Sequence, residues 1–214
     1  MKGNPGLDLA QIQRKLGQLQ KHADKKKLPY ANMTARKWFR PNPPLAEADV
    51  CRFESEHRVR LPEDYREFLL TVGNGGGGGI FPLGCDSEAY SYEQAIEMWR
   101  DGSYRLYLYG GTNLDRPFPH TRAWLPRPST DRKDERNDPQ VAGSMRIYHC
   151  GCAIYNVLVI TGTERGHVWC DARSDGGGIF PERPAGGRGR LTFGRWHLGL
   201  LDRLLQWHGI EFDA

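Results

Sequence analysis

The clearest hydrophobic pattern in the chain lies at residues 61–76, which read LPEDYREFLLTVGNGG. Apolar side chains recur there at the i, i+3, i+4, i+7 spacing of one helix face, at Tyr65, Phe68, Leu69 and Val72. Pro62 suits the first helical position, where its missing N–H is not needed, and Glu63 and Asp64 suit the positive end of the helix dipole. Gly73 and Asn74 readily adopt the left-handed conformation that ends a helix. The segment therefore predicts one short helix followed by a glycine loop.

The same reading predicts further elements on both sides of this segment. Helices are predicted at Asp8–Ala23 with Asp8 as its cap, at Leu45–His57, at Tyr92–Trp99 and at Thr192–Trp207. Strands are predicted at Ile80–Leu83, Arg105–Tyr109, Met145–His149, Ala153–Thr161 and His167–Cys170. The Ala153–Thr161 strand is apolar almost throughout, so we expect it to be central and buried on both faces.

A hexapeptide, Gly-Gly-Gly-Ile-Phe-Pro, occurs twice, at residues 77–82 and 176–181. A true duplication leaves similarity outside so short a repeat, and the flanking residues show none. The repeat therefore predicts two glycine loops that each lead into a similar short strand.

Composition narrows the class of protein. The chain has 214 residues with six Trp, nine Tyr and eight Phe, enough aromatic side chains for an ordered core. Its five cysteines are an odd number without a disulfide spacing, and neither a signal peptide nor a transmembrane stretch is evident. We therefore expect reduced thiols, no membrane and a cytoplasmic location. The net charge of +4 is too small to indicate a nucleic-acid partner.

Several motifs together resemble the SUKH superfamily, which includes fungal cell-wall-synthesis regulators and many bacterial immunity proteins. The LPEDYREFL stretch matches the family's signature helix, and the family's later Gly-Cys turn and Gly-x-Val-Trp-x-Asp strand are matched at residues 151–152 and 166–171. The signature positions, which we expect to be structural, are Leu61, Pro62, Asp64, Tyr65, Phe68, Leu69, Asn74, Gly75, Gly76, Gly151, Cys152, Trp169 and Asp171.

The resemblance covers the chain from about Pro44 to Trp207. It implies a single α+β domain at residues 44–214, with N-terminal helices and a C-terminal helix packed on a mixed or antiparallel sheet. Residues 1–43 would add a helix and a Pro-rich connection to this domain.

The sequence contains only weak signals for a catalytic, nucleotide-binding or metal-binding site. The glycines after the signature helix formally match a dinucleotide fingerprint, but they follow a helix where that motif needs a strand. A metal site could be assembled from His149, Cys150, Cys152, His167 and Cys170, because zinc prefers sulfur and imidazole ligands. The spacing is not that of a zinc knuckle, and the Gly-Cys turn of the resemblance accounts for Cys152 as a small buried residue. We expect no catalytic residue, no metal and no cofactor.

The resemblance then implies a protein that works by binding another protein. The most concrete form is an immunity protein that binds and neutralises a cognate toxin domain. An acidic, aromatic stretch after the glycine loop supplies candidate contacts at Asp86, Glu88, Tyr90, Tyr92 and Glu93. A regulatory scaffold of the fungal type and a metal-dependent hydrolase are the alternatives, and the oligomeric state stays open.

Overall fold

The computed structural model describes residues 7–23, 39–85, 113–126 and 138–211. The helices in this part are α1 (Leu9–Ala23), α2 (Glu47–His57), α3 (Glu63–Thr71) and α4 (Phe193–Trp207). The strands are β1 (Ser144–Gly151), β2 (Ile154–Val159), β3 (Val168–Asp171) and β4 (Ile179–Pro181). Short 3-10 turns lie at Pro139–Val141 and Arg173–Asp175. The predicted elements at Tyr92–Trp99 and Arg105–Tyr109 lie outside the described residues.

The four strands form one antiparallel sheet in the order β1-β2-β3-β4. Val157 of β2 pairs with Trp169 of β3, and Leu158 pairs with Val168. Two irregularities interrupt the pairing of β1 with β2, between residues 146 and 148 and between residues 149 and 151. The predicted α+β class and antiparallel sheet are confirmed.

The middle of the sheet is buried on both of its faces, because helices cover one face and loops cover the other. Leu158 belongs to the larger core, which includes Phe193 and Trp196 of α4. Val157 and Val159 point the opposite way into a second cluster with Phe118, Val141, Trp169 and Ile179. Alternate side chains of a strand point to opposite faces, so β2 contributes to both clusters. The prediction of burial on both faces is confirmed for residues 156–160, whereas Ala153 is exposed and Ile154 and Tyr155 are half-buried.

The N-terminal helix belongs to the same core as the rest of the described chain. Ile12, Leu16 and Leu19 are buried, and α1 packs against α4. Asp8 caps α1, because its Oδ1 accepts a hydrogen bond from the Gln11 N–H at 2.9 Å. Lys15, itself buried, forms an ion pair with Asp202 of α4.

The Ile80–Leu83 segment does not form the predicted strand. The N–H and C=O of Ile80 both bond to Gly76 within the glycine loop, at 3.0 and 2.7 Å. Only the Phe81 N–H reaches β1, where it donates to the Ile147 carbonyl at 2.9 Å. The backbone groups that a strand would use are thus already occupied inside the loop. The second copy of the hexapeptide does supply a strand, β4.

Candidate functional site

The signature helix α3 lies at the centre of the larger core. Tyr65, Phe68 and Leu69 are buried, and the ring of Phe68 meets those of Phe193 and His197 at centroid distances of 5.1 Å. The helix begins one residue later than predicted, because Pro62 has an extended ψ of 140° and precedes the first helical residue, Glu63. The buried face of α3 is the one that the sequence predicts.

Asp64 has a role that the sequence reasoning missed. Its Oδ2 accepts a hydrogen bond from the Gly194 N–H in the first turn of α4, and its Oδ1 accepts one from its neighbour Tyr65, both at 2.9 Å. The first turn of α4 has no acidic residue, and the side chain of Thr192 does not cap it. Asp64 therefore caps a second helix as well as lying in the first turn of its own. Burial raises the pKa of Asp64, although the two N–H bonds oppose the rise.

Replacing Asp64 by alanine is expected to lower the free energy of unfolding by about 1–2 kcal/mol, because a buried N–H of α4 then lacks a partner. Asp64→Asn keeps an oxygen acceptor and should lose clearly less. Urea unfolding of both variants measures the difference. An alanine variant as stable as the wild type would show that the cap contributes nothing.

The glycine loop after α3 is held by a close approach of the preceding chain. A Cβ atom at Gly73 would lie 2.2 Å from the Asn42 carbonyl oxygen, so no side chain fits there. Positive φ begins at Gly75 and continues at Gly76, whereas Val72 remains in the right-handed region. Neither Gly73 nor Asn74 has a positive φ, so the prediction that they adopt the left-handed conformation is wrong. Position 73 requires glycine because the chain at Asn42 packs too closely for a side chain.

Asn74 ties the loop together. Its Oδ1 accepts from the Leu83 N–H at 2.7 Å, and its carbonyl accepts from Asn42 Nδ2 at 2.8 Å. The residue is buried, as an amide that satisfies backbone groups commonly is. Through these bonds Asn74 joins the loop to Asn42, before α2, and to Leu83, after the glycines.

The later signature residues are divided between core and hairpin. Trp169 is fully buried, and Asp171 binds Arg173, whose Nε lies 2.7 Å from Oδ1. Cys152 is exposed, so the expectation that it is a small buried residue is wrong. It lies in the turn between β1 and β2, where Cys152 and Ala153 have φ of 51° and 56°. Ser174 Oγ donates a hydrogen bond shared between their two carbonyl oxygens, each 2.9 Å away.

The candidate metal ligands have other neighbours. His149 stacks on Tyr155 with a centroid distance of 4.9 Å, and Cys150 Sγ donates to Asn156 Oδ1 at 3.1 Å. Burial raises the pKa of Cys150 to about 11 and that of Cys170 to about 12, which disfavours the thiolates that zinc requires. Within the described ranges, no three His, Cys, Asp or Glu side chains converge as metal ligands.

The predicted partner contacts cannot be placed. Asp86, Glu88, Tyr90, Tyr92 and Glu93 lie outside the described residues, directly after the buried Cys85. They remain predictions.

Two histidines of the described chain, His197 and His120, are buried and were considered as catalytic groups. His197 packs between the rings of Phe68 and Phe193, and burial lowers its pKa to about 4. His120 Nε2 lies 3.0 Å from the Gln140 carbonyl, and burial lowers its pKa as well. Both rings are therefore neutral near pH 7 and surrounded by core residues, an arrangement that serves packing.

Comparison with known families gives one match. The model of the SMI1/KNR4 family (SUKH-1) matches residues 44–183, which include α2, α3 and the whole sheet. Neither the curated proteins nor the solved structures gave a match. Among the described helices, none is long and apolar enough to cross a membrane. The matched range is more than half of the chain, and it contains the signature helix whose packing and capping are described above. The chain therefore belongs to the SMI1/KNR4 (SUKH-1) family.

Proposed function

We propose that this protein is a bacterial immunity protein that binds a cognate toxin domain and neutralises it without catalysing a reaction. The family supports a role in binding other proteins. That the partner is a toxin domain goes beyond family membership. This part of the proposal rests on the resemblance of the signature segment to bacterial immunity proteins.

The apolar signature side chains point into the core, and this observation supports the proposal. Tyr65, Phe68 and Trp169 fill the core, and the polar residues Asp64 and Asn74 bond to backbone groups of distant segments. Signature residues with these contacts stabilise the fold and place no constraint on the exposed residues, which can differ from one family member to another. A binding protein needs this division, because its partner is chosen by the exposed surface.

Neutralisation would work by steric and electrostatic masking. The acidic stretch that contains Asp86, Glu88 and Glu93 follows the buried Cys85 directly in the sequence. Carboxylates and tyrosines on such a stretch complement a basic protein surface, where they raise the rate of association and exclude the toxin's own substrate.

Co-expression with a toxin domain, if the neighbouring genes encode one, is the direct test. The wild-type chain should restore growth and bind the purified domain in a pairwise titration. Asp86→Lys, Glu88→Lys and Glu93→Lys together should weaken that binding by at least about tenfold, because like charges then face each other.

A matched control carries the same change of charge elsewhere. Glu67, Asp115 and Asp175 are exposed carboxylates of the described surface, and their combined replacement by lysine should leave affinity nearly unchanged. Equal loss in both triple variants would assign the effect to net charge. Failure of the wild-type chain to bind or protect would overturn the proposed function itself.

A further inference from the structure

Two cysteines lie at the tip of the hairpin that β1 and β2 form. Cys150 is near the end of β1, Cys152 is in the turn that follows, and Gly151 separates them. Both cysteines are exposed. A Cβ atom at Gly151 would meet no heavy atom within 4 Å other than those of its chain neighbours, so the space beside it is open. The pair is therefore accessible to a small reagent.

The turn itself gives no reason for a cysteine at position 152. Gly151 pairs with Ile154, which leaves Cys152 and Ala153 as the two central residues, with φ of 51° and 56°. Two-residue turns with positive φ at both central positions are usually formed by Asn-Gly, because most side chains are strained there. Cysteine and alanine thus occupy this turn at a cost in backbone energy.

Covalent geometry keeps the two cysteines close together. Consecutive Cα atoms are about 3.8 Å apart, so the Cα atoms of Cys150 and Cys152 lie within about 7 Å of each other. Cysteines joined by a disulfide usually have Cα atoms about 4.4–6.8 Å apart. Gly151 has no side chain, so the backbone between the two cysteines can adjust to this range. A disulfide between them is therefore sterically accessible.

Cys170 is a poorer partner for Cys150. It lies on β3, where it pairs with Asn156 of β2, so β2 separates it from β1. Neighbouring strands are about 4.8 Å apart, which puts residues on alternate strands roughly 10 Å apart. That separation is too large for a disulfide without a movement of the backbone.

The two thiols at the hairpin tip have different surroundings. Cys150 Sγ donates to Asn156 Oδ1 at 3.1 Å, and Asn156 is buried. Burial raises the pKa of Cys150 to about 11, so this thiol stays protonated near neutral pH. Among the described residues, no group forms a hydrogen bond with the thiol of Cys152. Cys152 is therefore the thiol that reacts first, and Cys150 is the second.

We propose that Cys150 and Cys152 are a redox modification site, at which a low-molecular-weight disulfide such as oxidised glutathione converts them into a reversible internal disulfide. The Cys152 thiolate attacks one sulfur of the reagent, displaces one glutathione thiolate and becomes a mixed disulfide. Cys150 loses its proton, attacks Cys152 Sγ and displaces the second glutathione. The two cysteines give up two electrons and two protons, and the reagent leaves as two glutathione thiols. This site does not depend on the proposed immunity role.

Oxidation of the hairpin tip also changes a contact inside the sheet. In the disulfide, Cys150 no longer donates to Asn156, whose Nδ2 donates to Glu182 Oε1 at 2.7 Å. Glu182 directly follows β4, so Asn156 links the hairpin tip to the far edge of the sheet. A buried acceptor that loses its donor is destabilising. The redox state of the tip is thereby coupled to the polar contact between β2 and the residue after β4.

Trypsin releases a peptide that reports on this pair alone. Cleavage after Arg146 and Arg165 gives residues 147–165, which contain Cys150 and Cys152 and no other cysteine. The purified full chain is equilibrated with increasing oxidised glutathione at a fixed, submillimolar concentration of reduced glutathione, and free thiols are then alkylated. Mass spectrometry should show a peptide that carries no alkyl group and is lighter than the reduced peptide by two hydrogen atoms. Dithiothreitol should reverse the change.

Cys150→Ser provides the matched variant, because it keeps the first thiol and removes the second. Its peptide should retain one glutathione on Cys152. The wild type should become half oxidised at a concentration of oxidised glutathione at least about tenfold lower than the one that half modifies the variant, because Cys150 displaces glutathione within the same molecule. Cys51, exposed and the single cysteine of α2, is the internal control and should carry only glutathione or an alkyl group.

A wild-type peptide that stays alkylated at both cysteines, or that carries two glutathiones, would overturn the proposal. A disulfide that joins Cys150 or Cys152 to Cys51, Cys85 or Cys170, or to a second chain, would also overturn it, because such a bond links two different peptides. The measurement needs no toxin. Its outcome therefore leaves the immunity role untouched, and a failed protection assay leaves the redox site untouched.

Discussion

Replacing Phe68 by alanine is expected to lower the free energy of unfolding by about 3–5 kcal/mol, among the largest effects of any single substitution in this chain. The ring is fully buried and lies 5.1 Å from the ring centroids of both Phe193 and His197. Its removal leaves a cavity between α3 and α4 that neither helix can close, because Asp64 fixes the start of α4 against α3. Chemical denaturation followed by tryptophan fluorescence measures the change.

Phe180→Ala is the matched control, since it removes the same side chain from the edge strand β4. Phe180 is already partly exposed, so its loss should change the free energy of unfolding by less than about 1 kcal/mol. Similar losses at both positions would show that Phe68 does not have the central place in the core that the structure assigns to it. A loss below about 1 kcal/mol at Phe68 would show the same.

The sequence predicts well those parts of the fold that depend on local periodicity. The apolar run around Val157 predicts a central strand, and the Phe193–Leu204 spacing predicts the last helix, because each pattern alone specifies which side is buried. The Ile80–Leu83 segment shows the limit of that method. Its composition is that of a strand, yet Ile80 gives both backbone groups to Gly76, a pairing that periodicity does not encode.

The roles of individual residues depend more on contacts between residues that are distant in the sequence, and periodicity does not predict them. Asp64 is predicted to serve only its own helix, whereas its second oxygen binds an N–H 130 positions later in the chain. The sequence does not signal this contact, because Thr192 at the start of α4 is itself a preferred N-cap residue, and only the structure shows that its side chain does not cap the helix. The repeated hexapeptide gave no indication that Phe81 would be buried and Phe180 exposed, since identical residues differ only in what packs over them.

His197 should make the stability of the protein depend on pH below neutrality. The ring is fully buried among aromatic side chains, and burial lowers its pKa from 6.5 to about 4. A buried imidazole resists protonation because the charged form loses its hydration. In the unfolded chain the same group takes up a proton near its ordinary pKa. Between those two values the unfolded state therefore binds more protons than the folded state does.

The free energy of unfolding should thus fall as the pH drops from about 6.5 to about 4, by about 3 kcal/mol from this group. Asp64, whose pKa is raised, acts in the opposite direction at the acidic end of the range. Urea titrations at several pH values, on the wild type and on His197→Phe, isolate the histidine, because the variant has no ionisable group there. His197→Gln serves the same purpose if the phenylalanine overpacks the core. A wild type whose loss of stability matches that of both variants across this range would contradict a buried, neutral His197.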